Sequence, residues 1–222
     1  MNLNDERSPM DGLTHRENIA LLIAASQSTT LAQIRTRCPT IFNGSESYTY
    51  VAGSATLPRR TYIIDIISGR LLVILNGMEN DDKIAACLTG WAAPVSAQYV
   101  TQPFEQAALA IRDELTVLGY IVLASSIRII GHSYGGAVGL YVMNYLSTTF
   151  AGDTKYGYSY GAPKTHVRTR TFAPASFRNW RRVFLEFDPV PQLPPSRDQM
   201  DGLWLLVGAG TAITWTTWFS PI

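Results

Sequence analysis

"IRIIGHSYGGAVG", Ile127 to Gly139, runs from β-branched apolar residues into a helix-forming stretch through a serine set among glycines. Gly131, Ser133 and Gly135 make a Gly-x-Ser-x-Gly pattern. A glycine-rich turn with an incidental serine would also match five residues. The context is more specific: "SIRII" reads as a strand and "GAVGLYVMNYLST" as a helix, so the serine falls on a strand-to-helix turn. Such a turn strains the serine backbone, and its glycines let strand and helix approach closely. The hydroxyl then stands at a helix N-terminus, where free N–H groups and the helix dipole favour developing negative charge. Ser133 is therefore a candidate nucleophile, and the Tyr134 N–H a candidate oxyanion donor.

The flanking sequence extends this unit. "TYIIDII" and "RLLVILNG" are two β-branched runs across Ser68-Gly69, a hairpin signal. "PFEQAALAIRDELTVLGY" is helical, with Pro103 at its start, apolar residues recurring every three or four positions, and Gly119 at its end. "YGYSYG" and "RRVFLEF" are further strands. Strands alternating with helices predict an α/β fold with a mostly parallel central sheet flanked by helices. A helix is expected from Glu17 to about Ile34. Residues 1–18 are polar and read as an arm, and residues 19–222 as one domain without repeat or linker.

The chain has 222 residues, 46% hydrophobic and 16% charged, with a net charge of +1. That length buries a core without disulfides or metals, and the charge selects no acidic partner and no nucleic acid. Cys38 and Cys87 read as buried thiols, and their spacing does not make a metal knuckle. No cofactor or metal motif is present. "IALLIAAS" (Ile19–Ser26) reads as buried helix rather than a secretory leader, so the compartment is left open. "LWLLVGAGTAITW" reads as core strand, and no stretch is long enough to span a membrane.

Four segments in order resemble the class 3, fungal-type lipases of the α/β-hydrolase fold. "GHSYGGAVG" resembles the family's GHSLGGA turn, "YSYGAPK" (Tyr158–Lys164) its YTFGAPR strand and loop, and "EFDPVPQLPP" (Glu186–Pro195) its NDxVPRLPP segment. "LLVILNGM" resembles the strand that carries the oxyanion loop. The resemblance implies an α/β-hydrolase-like fold and serine ester chemistry. Asp188 takes the position of the acid that orients the catalytic histidine. The N–H groups of Met78 and Tyr134 take the oxyanion positions, although Asn76-Gly77-Met78 lacks the hydroxyl of the family's R-G-T or R-G-S.

The base is the departure. In this fold the order is serine, acid, histidine. The chain has only His15, His132 and His166, all before Asp188. One family register puts Gly202 where the histidine belongs, and another puts Leu206 there. Neither accepts a proton. His166, in the loop after "GAPK", is a candidate substitute base. His132 is expected to pack with its ring turned away from the site, and His15 to lie in the arm. Losing a triad member typically costs about four to six orders of magnitude in turnover.

Lys164, Arg168, Arg170, Arg178, Arg181 and Arg182 form an acid-free basic stretch over 164–182. It reads as a solvated edge or as a patch for an anionic surface. Trp204 and Trp215 belong to an aromatic C-terminal cluster. Residues 79–101 stand where the family has its lid. Two functions stay open: an inactive structural, lipid-binding or assembly module, and an active hydrolase of acylglycerol or phospholipid esters that uses a non-standard base or one lying outside this chain.

Overall fold

The computed structural model describes residues 13–78, 98–150, 155–163, 180–185, 203–207 and 213–217. Eight strands form one sheet whose spatial order follows the chain: β1 (Glu46–Val51), β2 (Arg60–Asp65), β3 (Arg70–Leu75), β4 (Ser126–His132), β5 (Lys155–Tyr160), β6 (Trp180–Leu185), β7 (Leu203–Val207) and β8 (Ile213–Thr217). β1, β2 and β3 pair antiparallel, β3 through β7 pair parallel, and β8 returns antiparallel on β7.

The β2–β3 hairpin is as the two β-branched runs predict, with Gly69 at φ 68 closing its turn. β1 was not expected. Its sequence ESYTYV sits at the sheet edge and is half-buried along its whole length, so its alternation is weak. The apolar C-terminal run is two strands rather than one. A glycine-containing segment lies between them in the sequence, and Leu205 pairs with Trp215.

Helices cover both faces. The period of two along the strands divides their side chains. Leu71, Val73 and Leu75 of β3 join one core with Ile127 and Ile129. That core is closed by α3 (Gln98–Val117), through Phe104, Ala108, Ile111 and Leu115, and by α5 (Tyr134–Thr149), through Val138, Tyr141 and Val142. Between these helices lies the one-turn α4 (Tyr120–Leu123). Leu72 and Ile74 face the opposite way, with Ile130, Tyr158 and Val183, against α1 (His15–Gln27) and α2 (Leu31–Arg37). Among the described residues, no helix is long and apolar enough to cross a membrane, and no cluster of His, Cys, Asp and Glu is placed to hold a metal.

The expected single helix over 17–34 is two. Ser28 is extended at the end of α1, and the Thr30 side chain caps α2 by accepting from the Gln33 N–H. α1 starts earlier, behind a Thr14–Glu17 capping box, so residues 13–18 belong to the folded unit. Leu13, His15 and Asn18 are buried. α3 also starts earlier, which places Pro103 inside it rather than at its first turn.

Candidate active site

The carboxyl ends of the parallel strands are where α/β sheets place their sites. There β4 turns into α5, and Ser133 is the turning residue. It sits at φ 50, ψ −124, and among the described residues it is the one non-glycine with positive φ. Its N–H donates to the Tyr160 carbonyl at the end of β5 (2.9 Å). Its carbonyl accepts from the N–H groups of Gly136 (3.0 Å) and Ala137 (3.2 Å). Its side chain makes no capping hydrogen bond to the helix.

The glycines are dictated by clearance. A Cβ on Gly135 would stand 2.4 Å from the carbonyl oxygens of both Leu75 and Asn76. One on Gly131 would stand 2.5 Å from the Gly135 carbonyl oxygen. These obstacles are backbone, which cannot swing away. α5 thus starts flush against the end of β3, and that contact carries the Asn76-Gly77-Met78 loop to the serine. A Cβ on Gly77 would lie 3.2 Å from the Ser133 Cβ. The loop is fixed by Asn76, whose N–H donates to the Arg59 carbonyl (2.9 Å) and whose Nδ2 donates to the Leu22 carbonyl of α1 (3.2 Å).

The opposite wall is the Gly161-Ala162-Pro163 turn after β5. Gly161 stands at φ 57 and donates to the Val183 carbonyl (2.8 Å). A Cβ on Gly136 would meet the Cβ atoms of Ser159 and Ala162, each at 2.9 Å. Arg182 braces this turn by donating from Nη2 to the carbonyls of Ala162 (2.6 Å) and Pro163 (3.1 Å). The sequence places Arg182 in a basic surface stretch; the structure buries it, because β6 turns that position inward beneath the turn. Burial disfavours its charge.

The two described histidines both depart from expectation. His132 is exposed rather than packed, and its Nδ1 lies 3.1 Å from the point a Gly77 Cβ would occupy. His132 and Ser133 thus both border Gly77. His15 is in α1, not in an arm, and is 3% exposed. Its Nδ1 lies 3.0 Å from the Tyr160 hydroxyl, and its ring meets Tyr158 edge-on at 5.3 Å. Burial first, then the positive charges of Arg128 and Arg181, lower its pKa to about 4. It is a buried neutral support under the residue that holds the Ser133 N–H, not a base for the serine.

Gly77, the residue before Met78, is therefore brought against Ser133, the residue before Tyr134. Leu206 lies in β7, paired with Thr214. Asp188, His166, Gly202, Cys87, most of the 164–182 stretch and residues 79–97 lie outside the described residues, and of the 79–101 stretch only its last residues are described, within α3. Sequence reasoning missed Asn76 and Arg182, which hold the two walls. An Arg in a strand with a second Arg beside it carries no local signal for the distant carbonyls it serves.

Residues 79–198 match the family model for lipase (class 3). No curated protein matches the sequence. Among solved structures, the Rhizomucor miehei triacylglyceride lipase aligns with TM-score 0.62 at 19% identity, over 86% of this chain and 78% of that one. Lipase II from Rhizopus niveus aligns with TM-score 0.55 at 16% identity, over 86% and 80%. The Lip2 lipase from Yarrowia lipolytica aligns with TM-score 0.56 at 15% identity, over 86% and 76%. At these identities the likeness establishes the fold.

Proposed function

Because the chain belongs to the class 3 lipase family, we propose that it recognises carboxylic esters of lipids at Ser133 and hydrolyses them only weakly. In this reading the ester carbonyl carbon lies over the Ser133 hydroxyl. The carbonyl oxygen points between the N–H groups of Met78 and Tyr134, and Asp188 keeps the family's acid position. Acylglycerol or phospholipid esters are the substrate class, after the triacylglyceride lipase that the fold matches. The observation that carries the reading is the backbone of Ser133, held at φ 50 and ψ −124 between two braced loops.

In this reading the rate is set by the two expected base positions, Gly202 and Leu206, neither of which accepts a proton. A serine hydroxyl needs a proton acceptor in hydrogen-bond reach to attack near neutral pH. No histidine follows Asp188 in the sequence. Oxyanion donors and binding alone leave a residual acceleration of about 10³–10⁴ over water. The test is fluorophosphonate labelling with p-nitrophenyl butyrate turnover, run on wild type and Ser133→Ala. Slow labelling at Ser133, lost in Ser133→Ala, is the expected outcome. Equal signals from the two proteins refute the reading.

The position of His132 beside Gly77 supports a second reading, in which a non-standard histidine serves Ser133 and turnover is substantial. Then His132→Gln abolishes hydrolysis with a pH profile that follows an imidazole. His166→Ala tests the other candidate in the same assay. Turnover unaffected by either substitution removes this second reading.

A further inference from the structure

We propose that the Tyr134 side chain is a positioning residue for the ester site: its anchored hydroxyl fixes the direction in which the Tyr134 N–H points. The inference rests on the reading of Ser133 as an ester site and adds to it a residue specific to this chain's elbow.

Tyr134 is the first residue of α5, directly after the strained serine, and is 5% exposed. Its ring packs on Phe104 of α3 with centroids 5.2 Å apart. Its hydroxyl lies 3.0 Å from the Thr56 carbonyl oxygen and 3.4 Å from the Pro103 carbonyl oxygen, so one O–H donates to a pair of acceptors. Both acceptors are fixed. Thr56 belongs to a turn in which Ser54 Oγ accepts from the N–H groups of Thr56 and Leu57, and the Ser54 N–H donates to the Leu57 carbonyl. Nearby, Arg59 holds the carbonyls of Ser26 and Ser28 at the end of α1. Pro103 lies in α3, one residue before the buried Phe104.

The need for such an anchor follows from the elbow. A serine at φ 50 lowers its energy by rotating toward ordinary regions of backbone space. Rotation about the Ser133 ψ bond swings the Tyr134 N–H, the group aimed at the developing oxyanion. The helix side resists through the Gly136 and Ala137 bonds to the Ser133 carbonyl. Those bonds hold the carbonyl end of the planar Ser133–Tyr134 peptide; its other end, the Tyr134 nitrogen and Cα, is held through the anchored side chain. A rigid ring tied at its far end is a long lever against rotation of that end. Small misplacements in such sites cost orders of magnitude in rate, so a loosened N–H is felt in the reacting step and not in ligand binding.

The experiment compares wild type, Tyr134→Phe and Ser133→Ala. Phosphonylation by a fluorophosphonate is resolved into kinact and KI, and amide hydrogen exchange is followed over residues 133–137 and over β3–β5. Tyr134→Phe keeps the ring and its packing. It is expected to lower kinact roughly tenfold with KI within about twofold, and to raise exchange at the elbow amides alone. Unchanged kinact with unchanged elbow exchange overturns the proposal. So does a rise in exchange spread evenly over the sheet, which marks a purely structural role. If wild type reacts no faster than Ser133→Ala, the ester site itself is refuted; elbow exchange in Tyr134→Phe then decides the positioning role alone.

Discussion

Replacing Ser133 by glycine and, separately, by alanine measures the strain on which the site is built. Ser133 holds φ 50, ψ −124 with a Cβ attached. A non-glycine residue in such a region costs on the order of 1–3 kcal/mol. Glycine adopts it without that cost, but its looser unfolded chain returns about 0.4–1 kcal/mol. Alanine keeps the Cβ and hence the strain. The hydroxyl makes no capping bond to the helix, so removing it in both variants costs little. Ser133→Gly is therefore expected to exceed Ser133→Ala in stability by about 1 kcal/mol, or roughly 2–4 °C in Tm for a domain of this size. Urea denaturation of the two variants side by side, with m-values compared, reads the difference directly. At an unstrained position the order reverses, with glycine the weaker. A glycine variant less stable than the alanine variant would refute the reasoning.

Gly135→Ala puts a Cβ 2.4 Å from two backbone carbonyls and is expected to cost about 3 kcal/mol, near the upper end for overpacking; Gly139→Ala meets only side-chain atoms, at 3.1 Å, and should cost far less by the same urea assay. His15 titrates at about 4 in the folded chain against about 6.5 unfolded. The unfolded chain thus binds the extra proton between those values, and stability is full above pH 6.5 and falls as pH drops toward 4. His15→Gln should flatten this slope of up to about 3 kcal/mol, measured as unfolding free energy from pH 7 to 4.5. Arg182→Met strips two carbonyls of their donor and should destabilise by about 2–4 kcal/mol in thermal unfolding monitored by circular dichroism.

β2, β3 and β4 were legible because each is a short β-branched, mostly apolar run, as strands buried on both faces are. The elbow was legible because its glycines answer to clearances under 3 Å, which few other residues satisfy. β1 was not, since an edge strand of half-buried residues has no face to advertise. The roles of His15 and Arg182 were hidden for a different reason. Their burial depends on the Tyr160 hydroxyl and the Ala162 carbonyl, partners distant in sequence and close only after the sheet forms. His132 was expected to pack and is exposed, because its exposure follows from the backbone angles of the turn, which residue types alone do not state.

The shape of the elbow and the identity of its central residue answer to different demands. The shape belongs to the fold: α5 cannot leave β4 and lie against β3 unless positions 131, 135 and 136 lack side chains. A chain that had lost its chemistry would keep those glycines for packing alone. At position 133 stability favours glycine, which adopts φ 50 freely, or asparagine, which tolerates positive φ better than serine. Serine there carries strain and returns no helix cap. What it does supply is a hydroxyl-bearing side chain beside Gly77 at the start of α5, against walls that Asn76 and Arg182 hold in place. The residue that packing does not explain is therefore the one that chemistry would require, and the direct question for this chain is how fast Ser133 reacts without a histidine after Asp188.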